Sequence, residues 1–334
     1  MPFKVAIIGL GRIGVTLEDD PLRIKPATHM GAYHSVPSVK VVAGCDIKEE
    51  RRQYFQKRWN IPSVYSDYKQ LLKNEKIDIL SVATWTDSHY DIVVEAAKNS
   101  DVKAILCEKP IALDSQKAKK MIQICKKNNK LLIINHERRF EPRYRKVKEI
   151  IESGKIGKLR TIIGHVLTNV PLKQKSFSVD KTSLMHDGTH LIDMLHYLAG
   201  TPTAVSGHIS KKHKEIITSV LFFKNEVTAF IEAGGLREYF DFELDIQGTK
   251  GRILIGNTFE KLFLKRKSKH YSNFYDLEEV TFPHYSKHHY FSEEIREIVS
   301  VLKGERTKIV STGEDGLLAL HVIETIFQSA SKSS

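Results

Sequence analysis

The chain has 334 residues, 52 Lys and Arg against 40 Asp and Glu, and three cysteines, for a formal net charge of +12. That length accommodates two domains with substantial cores, and the apolar stretches are broken by charges well short of the ~20 residues a membrane-crossing helix needs. A membrane protein, a disulfide scaffold and a disordered tail are thereby excluded. Cys45, Cys107 and Cys125 form no paired framework, which predicts a reducing, cytoplasmic setting. The opening MPFKVAIIGLGRIG has an apolar run, but glycines interrupt it and no small-residue cleavage site follows, so no signal peptide is expected. The excess positive charge is scattered as KKNNK, KKHK and KRKSK, without an arginine-rich block or an aromatic RNA-binding signature. It reads as a solvated basic surface with no nucleic-acid partner, although such a surface would draw a phosphate-bearing substrate.

In chain order, FKVAIIG is a short β-branched run of the kind that forms a strand buried on both faces. VKVVAGCD, IDILSVAT, VKAILCE and KLLIINH repeat the pattern. Helical stretches separate them at Lys48 to Arg58, His89 to Asn99 and DSQKAKKMIQICKKNN, the last capped by Asp114. Strands alternating with helices of this length predict an α/β domain with a parallel, doubly wound sheet. The pattern changes after Asn135. A helix from about Pro142 to Ser153, a strand RTIIGHV, a loop PLKQKSFSVDKTSL and a helix near His190–Ala199 come next. ITSVLFF, EVTAFIEA, FDFELDIQG and GRILIG then alternate around the turns KNE and GTKG, which predicts a large, mostly antiparallel open sheet in an α+β domain. SEEIREIVSVLKG and TGEDGLLALHVIETIFQSA close the chain as helices. The expected division is 1–135 plus the terminal helix at about 312–334 for the first domain, and 136–311 for the second.

Gly9, Gly11 and Gly14 stand at G-x-G-x-x-G spacing directly after the first strand. In that context Gly9 permits a tight turn, Gly11 lets a pyrophosphate approach the backbone, Gly14 lets helix pack on strand, and the helix N-terminus offers free N–H groups to phosphate. Asp46 ends the second strand, where a carboxylate can accept from both adenosine ribose hydroxyls and repel a 2′-phosphate. The expected cofactor is NAD, with NADP still open because Arg51 and Arg52 follow closely. Asp46 lies further from Gly14 than the usual ~20 residues. EDDPLRIKP, with Pro21 and Pro26, cannot continue a helix and reads as an inserted loop, with the helix resuming near His29.

GLGRIG, ATWTDSH, CEKP at 107–110, THLID at 189–193 and the closing TGEDGLLALHVIETIFQSA together resemble the Gfo/Idh/MocA oxidoreductases, the family of glucose–fructose oxidoreductase and inositol dehydrogenase. The likeness implies a Rossmann domain for the first half and cofactor contacts from Arg12, Ile13, Thr84, Trp85, His89 and Glu108. It implies that Lys109 and His190 carry the chemistry. A histidine titrates near neutrality and can take or give the hydroxyl proton, while a lysine at a strand's carboxyl edge can polarise the substrate oxygen. Burial beside a cationic nicotinamide ring would push such a lysine's pKa down. Where many relatives carry an aspartate four residues before the histidine, this chain has His186, with Asp187 next to it. The implied substrate is a sugar, a polyol or a nucleotide-linked sugar, and the implied assembly is a homodimer or homotetramer paired through the large sheet.

Competing readings remain for several residues. His186-Asp187-Gly188-Thr189-His190, with Asp193, mimics a zinc-binding H-E-x-x-H, but the short acid and the glycine favour no metal. His284 and His288-His289 read as surface. Trp85 either stacks on the cofactor or packs in a core, and His89 reads as structural more than catalytic. Arg138 and Arg139 offer a fork for a carboxylate or phosphate, or a salt bridge between domains. Lys173, Lys175 and Lys181 could reach an anionic substrate or simply be solvated. A non-catalytic NAD-binding sensor for an anionic partner stands as the alternative to an enzyme.

Overall fold

The computed structural model describes residues 1–168, 182–213 and 215–332. Two units divide the chain: Met1–Glu141 with Lys287–Leu317, and Pro142–Ser286 with Leu318–Ser334.

The first unit runs β1 (Phe3–Ile8), α1 (His29–His34), β2 (Val39–Cys45), α2 (Glu49–Trp59), β3 (Ser63–Tyr65), α3 (Tyr68–Asn74), β4 (Ile79–Val82), α4 (Thr86–Lys98), β5 (Ala104–Cys107), α5 (Ser115–Lys127) and β6 (Leu131–Ile134). Its six strands pair in parallel in the order β3-β2-β1-β4-β5-β6. All four residues of β4 and of β5 are buried, as unbroken apolar runs require in a sheet covered on both faces. The Asp114 carboxylate accepts from Lys117 N at 2.8 Å and starts α5, whose Ala118, Met121, Ile122 and Cys125 form one buried stripe. β3 is not legible in the sequence, because three residues of SVY are too few to show a period, and the seven-residue α3 is likewise not singled out there. Strand order reverses between β1 and β4, and the crevice at the carboxyl ends of these strands is where open α/β sheets bind ligands.

The glycine turn departs from expectation. No α-helix follows it directly; residues 11–15 make a turn and Thr16–Asp19 a single 3₁₀ turn. The carbonyls of Ile13 and Gly14 instead accept the amides of His29 and Met30, each at 3.0 Å. Those partners lie 16 residues along the chain where an α-helix uses four, so the segment is one helix interrupted by twelve extra residues. Asp46 is 32 residues past Gly14, and removing the twelve restores the usual ~20. Pro21 and Pro26 mark the inserted stretch as the sequence predicted.

The second unit holds α6 (Pro142–Glu152), β7 (Leu159–Leu167), α7 (Ser183–His186), α8 (Gly188–Ala199), β8 (Pro202–Ile209), β9 (Ile216–Phe223), β10 (Thr228–Gly234), β11 (Asp241–Gly248), β12 (Gly251–Ile255), β13 (Glu260–Lys267) and β14 (Tyr275–Val280). The strands form one sheet in the order β14-β13-β12-β11-β7-β10-β9-β8, antiparallel except where β10 runs parallel to β7. β13 and β14 escape the sequence reading because their lysines and acids blur the alternation. Helix α8 lies on one face, so close that a Cβ at Gly164 would sit 2.8 Å from Leu191 Cδ1. On the other face Ile163, Phe222 and Phe230 are 45–46% exposed.

The expected domain boundaries need correction at the C-terminus. α9 (Tyr290–Leu302) belongs to the first unit, because its Phe291, Ile295, Ile298 and Val299 complete the core that holds Met30 and Tyr33 of α1. α10 (Gly313–Lys332) belongs only in part to the first domain. Its first turn packs on Ile134 and Ile111 through Gly316, whereas Ser329 Oγ accepts from Gly207 N of β8 at 3.1 Å.

Candidate dinucleotide and catalytic site

Gly9 ends β1 with φ +94°, and a Cβ there would lie 2.5 Å from the Ala83 carbonyl oxygen. At Gly14 a Cβ would lie 2.0 Å from the Gly9 oxygen. The turn is therefore closed to side chains, which leaves bare backbone for a diphosphate. Asp46 ends β2 beside it. Its Oδ2 accepts from Leu10 N at 2.9 Å and its Oδ1 from Lys48 N at 2.9 Å, so the carboxylate is pinned against the glycine turn with lone pairs to spare. Arg51 Nη1 reaches Asp46 Oδ2 at 3.2 Å and would meet a Cβ at Gly11 at 3.1 Å, so this guanidinium borders the turn. Arg52 turns away to the carbonyls of Asp46 and Ile47 and does not soften the carboxylate. Glycine cradle, carboxylate and bordering guanidinium fit an adenine dinucleotide. Arg12 is exposed and Ile13 half-buried in the turn itself.

Thr84 and Trp85 form the turn between β4 and α4, where Ser88 Oγ donates to Thr84 Oγ1 at 2.8 Å. Trp85 is 76% exposed, which removes the core reading. His89 lies on α4 beside this turn. It is fully buried, with its ring nitrogens 3.0 Å from the Pro110 carbonyl and 3.2 Å from that of Thr84, and burial pulls its pKa down. It ties the Thr84 turn to the segment after Lys109.

Lys109 follows β5 at the carboxyl edge, half-buried, and its bond to Pro110 is cis. Glu108 before it is buried: its Oε1 meets His29 Nε2 at 2.9 Å and Asn135 Nδ2 at 2.5 Å, and its Oε2 accepts from Lys109 N at 3.2 Å. Burial raises the Glu108 pKa, but His29, Lys109 and Asn135 outweigh it and the net direction is down, so Glu108 stays a carboxylate. These bonds make Glu108 a support for the backbone at Lys109. His29, Ser81 and Asn135 were missed in the sequence, although polar residues within or ending apolar strands, as in IDILSVAT and KLLIINH, are a usable signal.

Arg139 is buried. Its Nη1 donates to the Val310 carbonyl at 2.8 Å and pairs with Asp315 Oδ1 at 3.0 Å, two partners within the first unit. Arg138 is half-buried.

In the second unit, Thr182 Oγ1 accepts from Met185 N at 3.3 Å and caps α7. His186 ends that helix and Asp187 joins it to α8, where the Asp187 carbonyl accepts from His190 N at 3.2 Å. His186 and Asp187 are half-buried and His190 buried. The two histidines thus stand on separate helices, unlike an H-E-x-x-H pair. Among the described residues, three ligand atoms converge elsewhere, on His165, Asp241 and Glu243 of β7 and β11. His284 and His288 are exposed, while His289 is half-buried against Tyr290, its ring centroid 4.2 Å away. Lys173, Lys175 and Lys181 lie outside the described residues.

Residues 3–136 match the model of the Gfo/Idh/MocA oxidoreductases with an NAD-binding Rossmann fold, and residues 144–254 match that family's C-terminal domain. The chain belongs to the Gfo/Idh/MocA family. Its first unit is accordingly an NAD-binding domain, and the protein is an NAD-dependent oxidoreductase of a family whose members act on CH–OH groups. The myo-inositol 2-dehydrogenase of Thermotoga maritima is 25% identical over 334 residues, covering 95% of this chain and 93% of its own. The NAD-dependent scyllo-inositol 2-dehydrogenase of Bacillus subtilis is 26% identical over 282 residues, 76% of this chain and 73% of its own. The fold matches the WlbA dehydrogenase from Bordetella pertussis, solved with NADH and UDP-GlcNAcA, with a TM-score of 0.79 at 19% identity over 100% of this chain and 98% of that one. No helix among the described residues is long and apolar enough to cross a membrane.

Proposed function

We propose that this oxidoreductase transfers hydride between NAD and a secondary alcohol or ketone of a sugar, a polyol or a nucleotide-linked sugar, with Lys109 and His190 as its catalytic residues. The observation that carries the reading is Lys109 at the carboxyl end of β5, next to the strand-order reversal and on a backbone fixed through Glu108. When bound, the nicotinamide supplies the hydride acceptor or donor. The Lys109 ammonium polarises the substrate oxygen and stabilises alkoxide charge. The buried His190 imidazole takes the hydroxyl proton in oxidation and returns it in reduction. Asp187 and His186 sit at the entrance to α8 and set the charge around that imidazole. Arg138, Thr84 and Trp85 serve substrate and cofactor. Asp46 selects NAD, and the inositol and sugar-nucleotide relatives support the substrate class.

Free, buried Cys45, Cys107 and Cys125 support a cytoplasmic location. The exposed Ile163, Phe222 and Phe230 on the open sheet face support a homodimer or homotetramer paired there.

The test incubates the protein with NAD+ or NADP+ and a panel of inositols, sugars and UDP-sugars, and follows the NADH absorbance band. Lys109→Ala and His190→Ala each lower turnover by about 10²–10⁴-fold, while NADH binding, read by fluorescence, stays within a few-fold. Full activity in Lys109→Ala would remove the assigned role.

A further inference from the structure

His29 is 1% exposed, and a polar ring that deep must have its nitrogens satisfied. Its Nδ1 lies 2.6 Å from Ser81 Oγ, its Nε2 2.9 Å from Glu108 Oε1. Tyr33 Oη donates to Ser81 Oγ at 3.3 Å, so the Ser81 hydroxyl is left to donate to Nδ1. The ring proton then sits on Nε2 and points at Glu108. Tyr33, Ser81, His29 and Glu108 form one directed chain that crosses α1, β4 and β5 and ends at the carboxylate under Lys109. Asn135, at the end of β6, adds a second donor to the same oxygen.

The twelve-residue excursion fixes the first member of α1. Glu18 Oε2 accepts from Ala27 N at 2.9 Å and from Thr28 Oγ1 at 2.8 Å, and Thr28 Oγ1 accepts from Gly31 N at 3.0 Å. Thr28 is thereby locked as the cap of α1, and His29 is the next residue. A chain segment absent from an uninterrupted helix holds the imidazole where Glu108 needs it.

We propose that His29 is a positioning residue for Lys109, acting by holding the Glu108 side chain ionised and oriented so that it anchors the Lys109 backbone. The inference rests on the assignment of Lys109 as a catalytic residue. The groups around Glu108 sharpen the requirement. Glu137, in the turn after β6, and Glu294, on α9, are carboxyls close enough to feel its charge, while His29 and Lys109 act on Glu108 in the opposite sense. Without the His29 donor, burial and these neighbours push Glu108 toward its neutral form, and a protonated carboxyl no longer holds both partners.

The experiment compares wild type with His29→Leu, His29→Gln and Glu108→Gln, and with His29→Leu in the Glu108→Gln background. The Glu108 carboxyl, ¹³C-labelled and assigned by its loss in Glu108→Gln, is titrated by NMR; in His29→Leu its midpoint rises by about one pH unit or more. With NAD+ and the best alcohol of the panel, His29→Leu lowers kcat about tenfold and moves the acid limb of the kcat–pH profile upward, while the NAD+ KM stays within about twofold. His29→Gln, which can still present an N–H to Glu108, recovers part of kcat. In the Glu108→Gln background His29→Leu adds no further loss. An unmoved Glu108 midpoint overturns the proposal, and so does a moved midpoint with unchanged kcat and pH limb. If His29→Leu fails to fold, the His29→Gln titration and pH limb decide by the same criteria. The titration needs no substrate, so it is judged separately from the Lys109→Ala result, which tests the catalytic assignment itself.

Discussion

The two units use polar residues in opposite ways. In the first, both faces of the sheet are covered, and polar side chains gather buried near the carboxyl edge: Ser81, Glu108, Asn135 and His29 are bonded to one another, and Asp46 is bonded to the backbone of the glycine turn. In the second, one sheet face is open, and charges line up across neighbouring strands at the surface, as in Lys261–Glu279 and Arg266–Glu278 of β13 and β14. Exposed ladders of this kind contribute about 0–1 kcal/mol each and position little. A buried polar group that loses its partner costs about 1–3 kcal/mol, so the first arrangement tolerates few changes and holds geometry. The same residue types therefore carry different meanings according to whether their sheet has a free face.

Glycines break this comparison most sharply. Gly14→Ala puts a methyl 2.0 Å from the Gly9 carbonyl oxygen, a backbone atom that cannot swing aside. The expected outcome is a loss of more than about 3 kcal/mol of stability or a displaced turn, with NADH binding abolished in either case. Gly154→Ala, after α6 in the second unit, meets nothing within 4 Å and incurs only the cost of φ +70°, about 1–2 kcal/mol. Its NADH binding stays that of wild type. Thermal melts and NADH fluorescence on both variants are the check; equal losses would erase the distinction between the edges.

The sequence made the parallel sheet legible because strands buried on both faces read as unbroken apolar runs, and IDIL or KAILC admits few alternatives. It also exposed the glycine turn, Asp46, Lys109 and the proline-marked insertion. What it hid follows from physics. β3 is too short to show a period, and β13 carries Lys261, Lys265, Arg266 and Lys267 on a strand whose pairing alone keeps it extended. The buried chain from Tyr33 to Glu108 joins residues as far apart as 79 positions, and no local spacing announces such a contact. Arg139 and His89 matched a motif, yet their partners, Val310, Asp315, Thr84 and Pro110, turn them into fasteners. A motif gives residue type and place in the chain, and the fold decides which way the side chain works.

Two aspartates sharpen the contrast at a lower energy. Asp46→Ala should raise the NAD+ dissociation constant about tenfold, roughly 1.4 kcal/mol, and weaken NADP+ less, because a ribose acceptor is lost and Arg51 is released from its partner. Asp245 of β11 is buried and holds Arg252 through two bonds at 2.7 and 2.8 Å, and Asp245→Ala should cost about 1–3 kcal/mol of stability while leaving both cofactor affinities unchanged. Fluorescence titrations with both cofactors decide. An unchanged NAD+/NADP+ ratio in Asp46→Ala would move the selectivity determinant elsewhere.

A pH-dependent effect separates two buried acids. Glu294 on α9 is 0% exposed and neither carboxyl oxygen has a hydrogen-bond partner among the described residues. Burial first, then Glu108, Glu137 and Glu297, drives its pKa well up. Glu215, a buried acid of the second unit, accepts from Ser183 Oγ at 3.0 Å, and this bond offsets part of the upward push of burial. For either group the folded-state pKa lies above the unfolded one, so the stabilising, protonated form is fully present at low pH and the contribution is lost as pH rises through the folded value. Glu294→Gln, neutral at every pH, should match wild type near pH 4 and gain on it above pH 5 by up to about 1.4 kcal/mol per pH unit. Glu215→Gln should gain less, since it also weakens the bond to Ser183. Melting temperatures of the three proteins from pH 4 to 8 test this. A Glu294→Gln advantage that does not grow with pH would mean that this carboxyl is ionised in the folded protein, with a counter-charge that stabilises it.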